Sequence, residues 1–245
     1  MMRSYSDGDA AALYDVLNPW GPSDDFHLRH AMAAASVLDV GCGTGTLLAR
    51  ARADGHTGRL CGIDPDVGML GQARAKSIVD VEWVLAGAAD LTFRGEFAHA
   101  LMASHAFQCL ATEDDLRASL AAIRAALVDG GTFAFETRNR LAREWESWTP
   151  DNPWDVVDPD GRELRMVYDV REKADGVVTV AETTATRDGV PLRVDHADLR
   201  FITEADLDAY LTEAGFTIAE RYGDFRGGPC TPSSAEIVTV ARAGR

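Results

Sequence analysis

Apolar residues between positions 36 and 136 follow two spacings in turn. Short runs with the two-residue period of a strand alternate with segments in which apolar residues recur every three or four positions. The clearest helical segment is Asp114–Val128, which carries one apolar stripe formed by Leu116, Leu120, Ile123 and Leu127. The strand-like runs are Ser36–Val40, Arg59–Asp64, Glu82–Ala86, Phe97–Ser104 and Thr132–Glu136. This alternation predicts a parallel β-sheet with helices on both faces.

The two ends of the chain have different patterns. Two short helices are predicted at the N-terminus, Asp7–Leu17 and Asp24–Ala34, on either side of a Pro- and Gly-containing break. After Trp148 the pattern becomes β-rich, and short turns separate three runs that predict an antiparallel meander. These runs are Glu163–Glu172, Val177–Arg187 and Leu192–Ile202. A capped helix from Thr203 and two strands, Phe216–Tyr222 and Glu236–Ala241, follow.

These elements predict an α/β fold with a doubly wound, mostly parallel, seven-stranded sheet. A three-stranded antiparallel insertion precedes the last helix. We divide the chain into three regions. Residues 1–148 hold the N-terminal helices and the ligand-binding core, residues 149–202 form the insertion, and residues 203–245 supply the last helix and two strands of the core sheet. The insertion is interpreted as a lid over the site or as an interface.

A glycine-rich turn follows the first strand. Its sequence is Gly41-Cys42-Gly43-Thr44-Gly45, and Asp39 lies two residues before it. Glycines let the backbone pass close to a ligand, and a helix N-terminus follows. Asp64 ends the second strand, and Asp90 comes after the third. Ligands of open parallel sheets bind where the strands end, so we expect this turn and both acids to surround one site.

Two classes of nucleotide cofactor compete for this layout. The dinucleotide fingerprint requires Gly or Ala at its sixth position, where this chain has Thr46. Asp39 would also repel a pyrophosphate, whereas it suits a ligand that carries an amine or another cation. The pattern therefore disfavours a nicotinamide-dependent oxidoreductase, which we keep as an alternative.

With Asp39, the glycine turn, Asp64 and Asp90, residues 36–140 resemble the class I S-adenosylmethionine (SAM)-dependent methyltransferases, which have a Rossmann-like fold. The resemblance implies SAM as the cofactor. It also implies that Asp39 orders the turn or meets the ammonium through water, that Asp64 holds the ribose hydroxyls and that Asp90 accepts from the adenine amino group. The implied cofactor contacts are Tyr14, Asp39, Gly41, Cys42, Gly43, Gly45, Asp64, Pro65, Met69, Ala89, Asp90, Ser104 and His105.

Methyl transfer from a sulfonium is an in-line displacement that depends chiefly on positioning. A base is needed only where the acceptor loses a proton, and His105, after the fourth strand, is the candidate catalytic residue. The candidate substrate contacts are Trp20, Phe107, Glu136 and Arg138. Transfer to N, O or C stays open, as does the alternative of a SAM-binding protein that transfers no methyl group.

Charge and composition limit the classes of molecule that the protein is expected to bind. The chain has 39 acidic and 24 basic residues, a net charge of −15, which disfavours nucleic acid and anionic membranes. We expect a small-molecule acceptor and leave a homodimer open. The four cysteines have no CxxC pair, no metal-ligand spacing is evident, and neither a signal peptide nor an apolar run long enough for a membrane span is found. These features predict a cytoplasmic protein with reduced thiols and no metal.

Overall fold

The computed structural model describes residues 7–173 and 176–244, so residues 1–6 of the first predicted region lie outside the described residues. The helices are α1 (Asp7–Leu17), α2 (Pro22–Ala33), α3 (Thr46–Ala53), α4 (Val67–Ala75), α5 (Glu113–Ala126) and α6 (Glu204–Glu213). The strands are β1 (Ser36–Val40), β2 (Arg59–Asp64), β3 (Val81–Leu85), β4 (Phe97–Met102), β5 (Leu127–Arg138), β6 (Trp154–Val157), β7 (Glu163–Glu172), β8 (Val177–Thr186), β9 (Pro191–Arg200), β10 (Phe216–Tyr222) and β11 (Glu236–Ala243).

Seven strands form the central sheet in the order β10-β11-β5-β4-β1-β2-β3. The five strands from β5 to β3 are parallel, and β11 pairs antiparallel with both β5 and β10. This confirms the predicted α/β fold. The strand order reverses between β1 and β4, which places the glycine turn and the loop after β4 side by side at the switch point.

Apolar side chains cover both faces of this sheet. On one face, Phe133 and Phe135 of β5 pack in the large cluster that holds the apolar stripe of α5. On the other face, Ala134 of β5 packs with Phe26 of α2 and Val238 of β11. Consecutive residues of β5 are thus buried on opposite faces, as expected for an internal strand of a doubly wound sheet.

The insertion has four strands rather than the three that were predicted. They form a separate antiparallel sheet in the order β6-β7-β8-β9. The additional strand, β6, lies at the edge of this sheet, and Trp154 and Val157 at its two ends are exposed. A four-residue edge strand with exposed apolar residues shows no alternation of apolar and polar positions, so the sequence pattern does not predict it.

Several element boundaries also differ from the prediction, among them those of α5, β4 and β5. Helix α5 ends at Ala126, because β5 already starts at Leu127 and pairs there with Phe97 of β4. Strand β4 ends at Met102, and Ser104 and His105 have φ angles of 52° and 60°, which are incompatible with an extended strand.

Helix α1 connects the insertion to the core. Leu13 is buried against Leu164 and Met166 of β7, and α1 also packs along α4. The N-terminal helix therefore lies between the antiparallel sheet and the edge at which the parallel strands end. In the described part of the chain, no helix has both the length and the apolar character of a membrane span.

Candidate active site

The glycine turn joins β1 to α3 at the switch point. Gly41, Gly43 and Gly45 have positive φ angles of 76°, 53° and 73°, which side chains rarely adopt. The N–H groups of Gly41 and Cys42 both donate to the carbonyl of Ile63 at 2.9 Å. The turn is thereby tied to β2, and its backbone lines a small pocket.

Asp64, the last residue of β2, is held by main-chain hydrogen bonds. Its Oδ2 accepts from the N–H of Gly43 and its Oδ1 from the N–H of Asp66, both at 2.8 Å. Burial raises the pKa of Asp64. Each carboxylate oxygen has a second lone pair. The Asp64 side chain is 8% exposed and does not line the pocket at the glycine turn, so its contact with ligand hydroxyls stays a prediction.

Asp39 is the most deeply buried acid beside the turn, with 2% of its surface exposed. Burial, together with the smaller effect of the nearby charges of Asp64 and Asp24, raises the pKa of Asp39 to about 8. Asp39 and Asp24 both border the pocket. A cation bound there would favour the ionised form of Asp39. Asp24 comes from α2, and no local sequence pattern marks it as a site residue.

Tyr14 of α1 closes the pocket from the N-terminal side. Its side chain makes a hydrogen bond with Ser104, and burial raises its pKa to about 12. The Cε1 atom of its ring lies 3.8 Å from the position that a Cβ on Gly43 would take. Tyr14, Trp20 and Ser104, all predicted site residues, line the same pocket.

Lys76 links the N-terminal helix to the glycine turn. Its Nζ donates to Asp15 Oδ2 at 2.9 Å, to the carbonyl of Thr44 at 2.8 Å and to Thr46 Oγ1 at 2.7 Å. Lys76 follows α4, so this one side chain joins three elements around the pocket. No local sequence pattern indicates this link, because the residues are separated by up to 61 positions.

The predicted contacts to a nucleoside base lie further along the same edge. Pro65 is exposed after β2, and Met69 is half-buried in the first turn of α4. Ala89 and Asp90 are exposed on a short 3-10 turn after β3. The structure therefore places all four at the carboxyl ends of β2 and β3, on the side of the turn opposite to Ser104. Their role stays a prediction.

His105 is held from two neighbouring strands. Its main-chain N–H donates to Glu136 Oε1 at 3.0 Å, and its Nε2 lies 2.9 Å from Glu236 Oε1. The imidazole points across β5 toward β11, and His105 is not among the residues that line the pocket of the glycine turn. It lies next to that pocket, directly after Ser104, which does line it.

Glu136 anchors the loop after β4 and does not face a ligand. It is fully buried; Oε2 lies 2.6 Å from His27 Nε2, and Ser23 Oγ donates to Oε1 at 3.1 Å. Burial acts to raise the pKa of Glu136, but the neighbouring His27 and His105 outweigh it and lower the pKa overall. The prediction of a direct substrate contact at Glu136 is therefore corrected, since all its surface is covered.

Two other predicted substrate contacts also have structural partners. Phe107 is 1% exposed, and its ring stacks on Phe135 with centroids 4.4 Å apart. It belongs to the core, which corrects the prediction. Arg138 donates to Gln108 at 2.7 Å and pairs with Glu144 at 3.2 Å. Because these partners hold its guanidinium, Arg138 shapes the neighbouring loops.

Trp20 is the predicted substrate contact that does line the pocket. Its indole N–H donates to Asp25 at 2.8 Å, and the guanidinium of Arg50 lies 5.4 Å from the ring centroid. These two contacts hold the half-buried ring at the pocket.

In the described ranges, 7–173 and 176–244, no group of three or more His, Cys, Asp or Glu side chains could hold a metal ion.

The central segment of the chain is similar to a known protein family. The sequence profile of a methyltransferase domain matches residues 37–131, a range that begins in β1 and ends in β5. The match thus includes the glycine turn, Asp64, Asp90 and His105. No curated protein sequence matches the chain.

Solved structures share the whole fold. An S-adenosylmethionine-dependent methyltransferase from Clostridium acetobutylicum is 17% identical, with a TM-score of 0.79 over 96% of this chain and 98% of that one. The CcbJ methyltransferase from Streptomyces caelestis is 23% identical, with a TM-score of 0.74 over 98% and 100%. SAM-bound CalS10, an amino pentose methyltransferase from Micromonospora echinaspora, is 22% identical, with a TM-score of 0.68 over 99% of both chains. At these levels of sequence identity, the similarity shows a shared fold and nothing more specific.

Proposed function

We propose that the protein transfers the methyl group of SAM to a nitrogen or oxygen atom, or to a carbon, of a small-molecule acceptor. The match of residues 37–131 to the sequence profile of a methyltransferase domain supports this function. The observation that carries the proposal is the pocket where the glycine turn, Asp39 and Tyr14 meet. Its position at the switch point is where this fold binds its ligand.

The residues present fit SAM. The glycine turn supplies a backbone surface without side chains, and Asp39 supplies a buried carboxyl for the ammonium end of the cofactor. Asp64 keeps lone pairs free for the ribose hydroxyls, and Asp90 lies beyond β3 for the adenine amino group. When bound, SAM supplies a methyl group that is already activated by the sulfonium. The protein then has to hold the acceptor in line and exclude water.

A small acceptor is supported by what surrounds the pocket. Helix α1 covers it from one side and is itself packed against β7 of the insertion through Leu13. We propose that α1 and the insertion together act as a lid. A net charge of −15 argues against a nucleic-acid acceptor. A neighbour of the same fold is described as an amino pentose methyltransferase, which agrees with an acceptor of this size.

Binding of SAM should depend on pH through Asp39. Its pKa of about 8 means that Asp39 is mostly protonated in the free protein at neutral pH. The ammonium of SAM favours the carboxylate, so a proton must leave on binding. We expect SAM affinity to rise by up to about tenfold per pH unit between about pH 6 and pH 7.5.

Calorimetry in buffers of different ionisation enthalpy measures this proton release directly. Asp39→Asn is the matched control, because it keeps the shape of the side chain and removes the titration. We expect its affinity to be weaker and nearly flat over the same pH range. Equal proton release by the wild type and Asp39→Asn would exclude Asp39 as the source.

His105 is proposed as the general base for acceptors that lose a proton. Removal of a positioned base typically costs 10²–10⁴-fold in rate. We therefore expect His105→Ala to lower turnover at least about a hundredfold, with SAM affinity changed less than about twofold. His196→Ala, at an exposed histidine of β9, is the matched control and should behave like the wild type.

The measurement is transfer of a labelled methyl group from SAM to a panel of simple amines, amino sugars, phenols and carboxylic acids, beside calorimetry with SAM and NADH. Transfer to any acceptor establishes the proposed function. SAM binding without transfer across the panel would favour the non-catalytic alternative, and NADH binding without SAM binding would favour the oxidoreductase. Unchanged turnover in His105→Ala would remove His105 from the mechanism.

A further inference from the structure

Glu236 is an acid beside His105 that has no part in the proposed function, and its place follows from strand register. In the antiparallel pair β5–β11, Glu136 lies opposite Val238 and Arg138 opposite Glu236. Side chains two residues apart on a strand share a face, so Glu136 and Glu236 project from the same face as diagonal neighbours. That face lies under α2. Glu136 is near the end of β5, and Glu236 begins β11 beside it, next to the loop after β4.

The two carboxylates hold His105 at different atoms. Glu136 accepts from its main-chain N–H at 3.0 Å, and Glu236 Oε1 lies 2.9 Å from its Nε2. The imidazole and the Glu236 side chain are 23% and 17% exposed, so water competes weakly for this bond. Ser104 and His105 both have positive φ, a strained conformation that persists only where the surrounding contacts enforce it.

From this arrangement we propose that Glu236 is a positioning residue, which fixes the ring orientation and the tautomer of His105. The proposal rests on the proposed function, in which His105 is the base. A carboxylate accepts hydrogen bonds, so in the neutral ring Nε2 carries the proton and donates it to Glu236. Nδ1 then keeps its lone pair, and no partner for Nδ1 is found among the described residues.

The proton balance of the step follows. As the acceptor atom forms its bond to the methyl carbon, the carbon–sulfur bond breaks and its electron pair goes to sulfur. The acceptor's N–H or O–H proton passes to Nδ1 of His105. The resulting imidazolium donates from Nε2 to Glu236, whose negative charge stabilises it. Glu236 neither touches the acceptor nor takes the proton.

A proton NMR signal tests this directly. A hydrogen-bonded imidazole N–H gives a resonance far downfield, and ¹⁵N-labelled histidine links it to its nitrogen. We expect one such signal from Nε2 of His105, assigned by its loss in His105→Ala. The signal should disappear in Glu236→Ala, because the freed N–H exchanges with water, and should persist at a shifted position in Glu236→Gln, which keeps an acceptor oxygen.

The protein supplies its own controls. The buried pair of His27 and Glu136 should give a second downfield signal, and its persistence in Glu236→Ala shows that the fold and the anchor under the loop are intact. Glu220→Gln removes an acid of β10 whose charge acts on His30 and should change neither signal. The absence of a His105 signal in the wild type, or its persistence in Glu236→Ala, would overturn the proposal.

Kinetics with an acceptor from the panel give the second readout. We expect Glu236→Ala to lower kcat at least about tenfold while the Kd for SAM changes less than about twofold, and Glu236→Gln to recover part of the loss. Wild-type kcat in Glu236→Ala would refute the positioning role. A wild-type protein that binds no SAM would instead refute the proposed function, and the NMR result on His105 and Glu236 would still stand as measured.

Discussion

Replacing Gly45 by alanine should lower the free energy of unfolding by about 3 kcal/mol or more, the sum of a steric clash and a strained backbone. A Cβ on Gly45 would lie 2.8 Å from Cζ3 of Trp83 and closer still to Cη2. The same ring crosses Gly62, where a Cβ would lie 2.6 Å from Cζ3. Trp83 thus fills the space left by two glycines, and neither it nor the turn can move without opening the core between β2 and α3.

Gly55→Ala separates the two causes. Gly55 also has a positive φ, 93°, but no atom lies within 4 Å of the position that its Cβ would take. We expect it to lose only about 1 kcal/mol. Denaturant unfolding of both variants measures the difference, and losses of equal size would show that contact with Trp83 contributes nothing. Trp83 fluorescence should report the local rearrangement in Gly45→Ala.

Asp64→Ala should weaken SAM binding by at least about a hundredfold, because in the proposed binding mode it removes a charged acceptor from two ribose hydroxyls at about 1.5–3 kcal/mol each. The substitution also leaves the N–H of Gly43 without its acceptor, because in the wild type this N–H donates to Asp64 Oδ2 at 2.8 Å. The glycine turn loses a bond to β2 as it loses the ribose contact. Both effects weaken binding, since the turn must be ordered to receive the methionine part.

Calorimetry with SAM and with S-adenosylhomocysteine measures this loss. Asp54→Ala is the control, because Asp54 is an exposed acid whose ion pair is with Arg50 on α3, and it should bind both compounds like the wild type. Thermal unfolding without ligand shows whether the Asp64 variant is folded. An Asp64→Ala protein that is folded and binds SAM with unchanged affinity would remove Asp64 from the cofactor site.

Patterns local in sequence were enough to predict the central sheet. Each of the five strands from β1 to β5 contains a short apolar run, and the segments between them contain helices or turns, so element order implied that these five strands are parallel. The glycine turn with Asp39 likewise indicated the cofactor class, because the chemistry depends on residues only a few positions apart. The missed strand β6 had no such local signal, since Trp154 and Val157 are exposed at an edge.

The substrate side of the site was predicted less well for a physical reason. Glu136 was interpreted as a ligand contact because it ends a strand at the correct edge, but the strand continues to Arg138 and α2 covers it. Its partner His27 lies 109 positions away, and Glu236 lies 131 positions from His105. No spacing rule connects residues so far apart.

The amino-acid sequence by itself determined the order of elements, the glycine turn and the acids at the strand ends, since backbone conformation and hydrophobic periodicity are properties of neighbouring residues. The tertiary structure decided which of the polar residues at that edge of the sheet are free to contact a ligand. It buried Glu136 with His27, placed Lys76 between α1 and the turn, and brought Glu236 of β11 to the imidazole of His105. These choices depend on strand register and helix packing, which bring distant residues together and alone determine which charges are covered and which face the pocket.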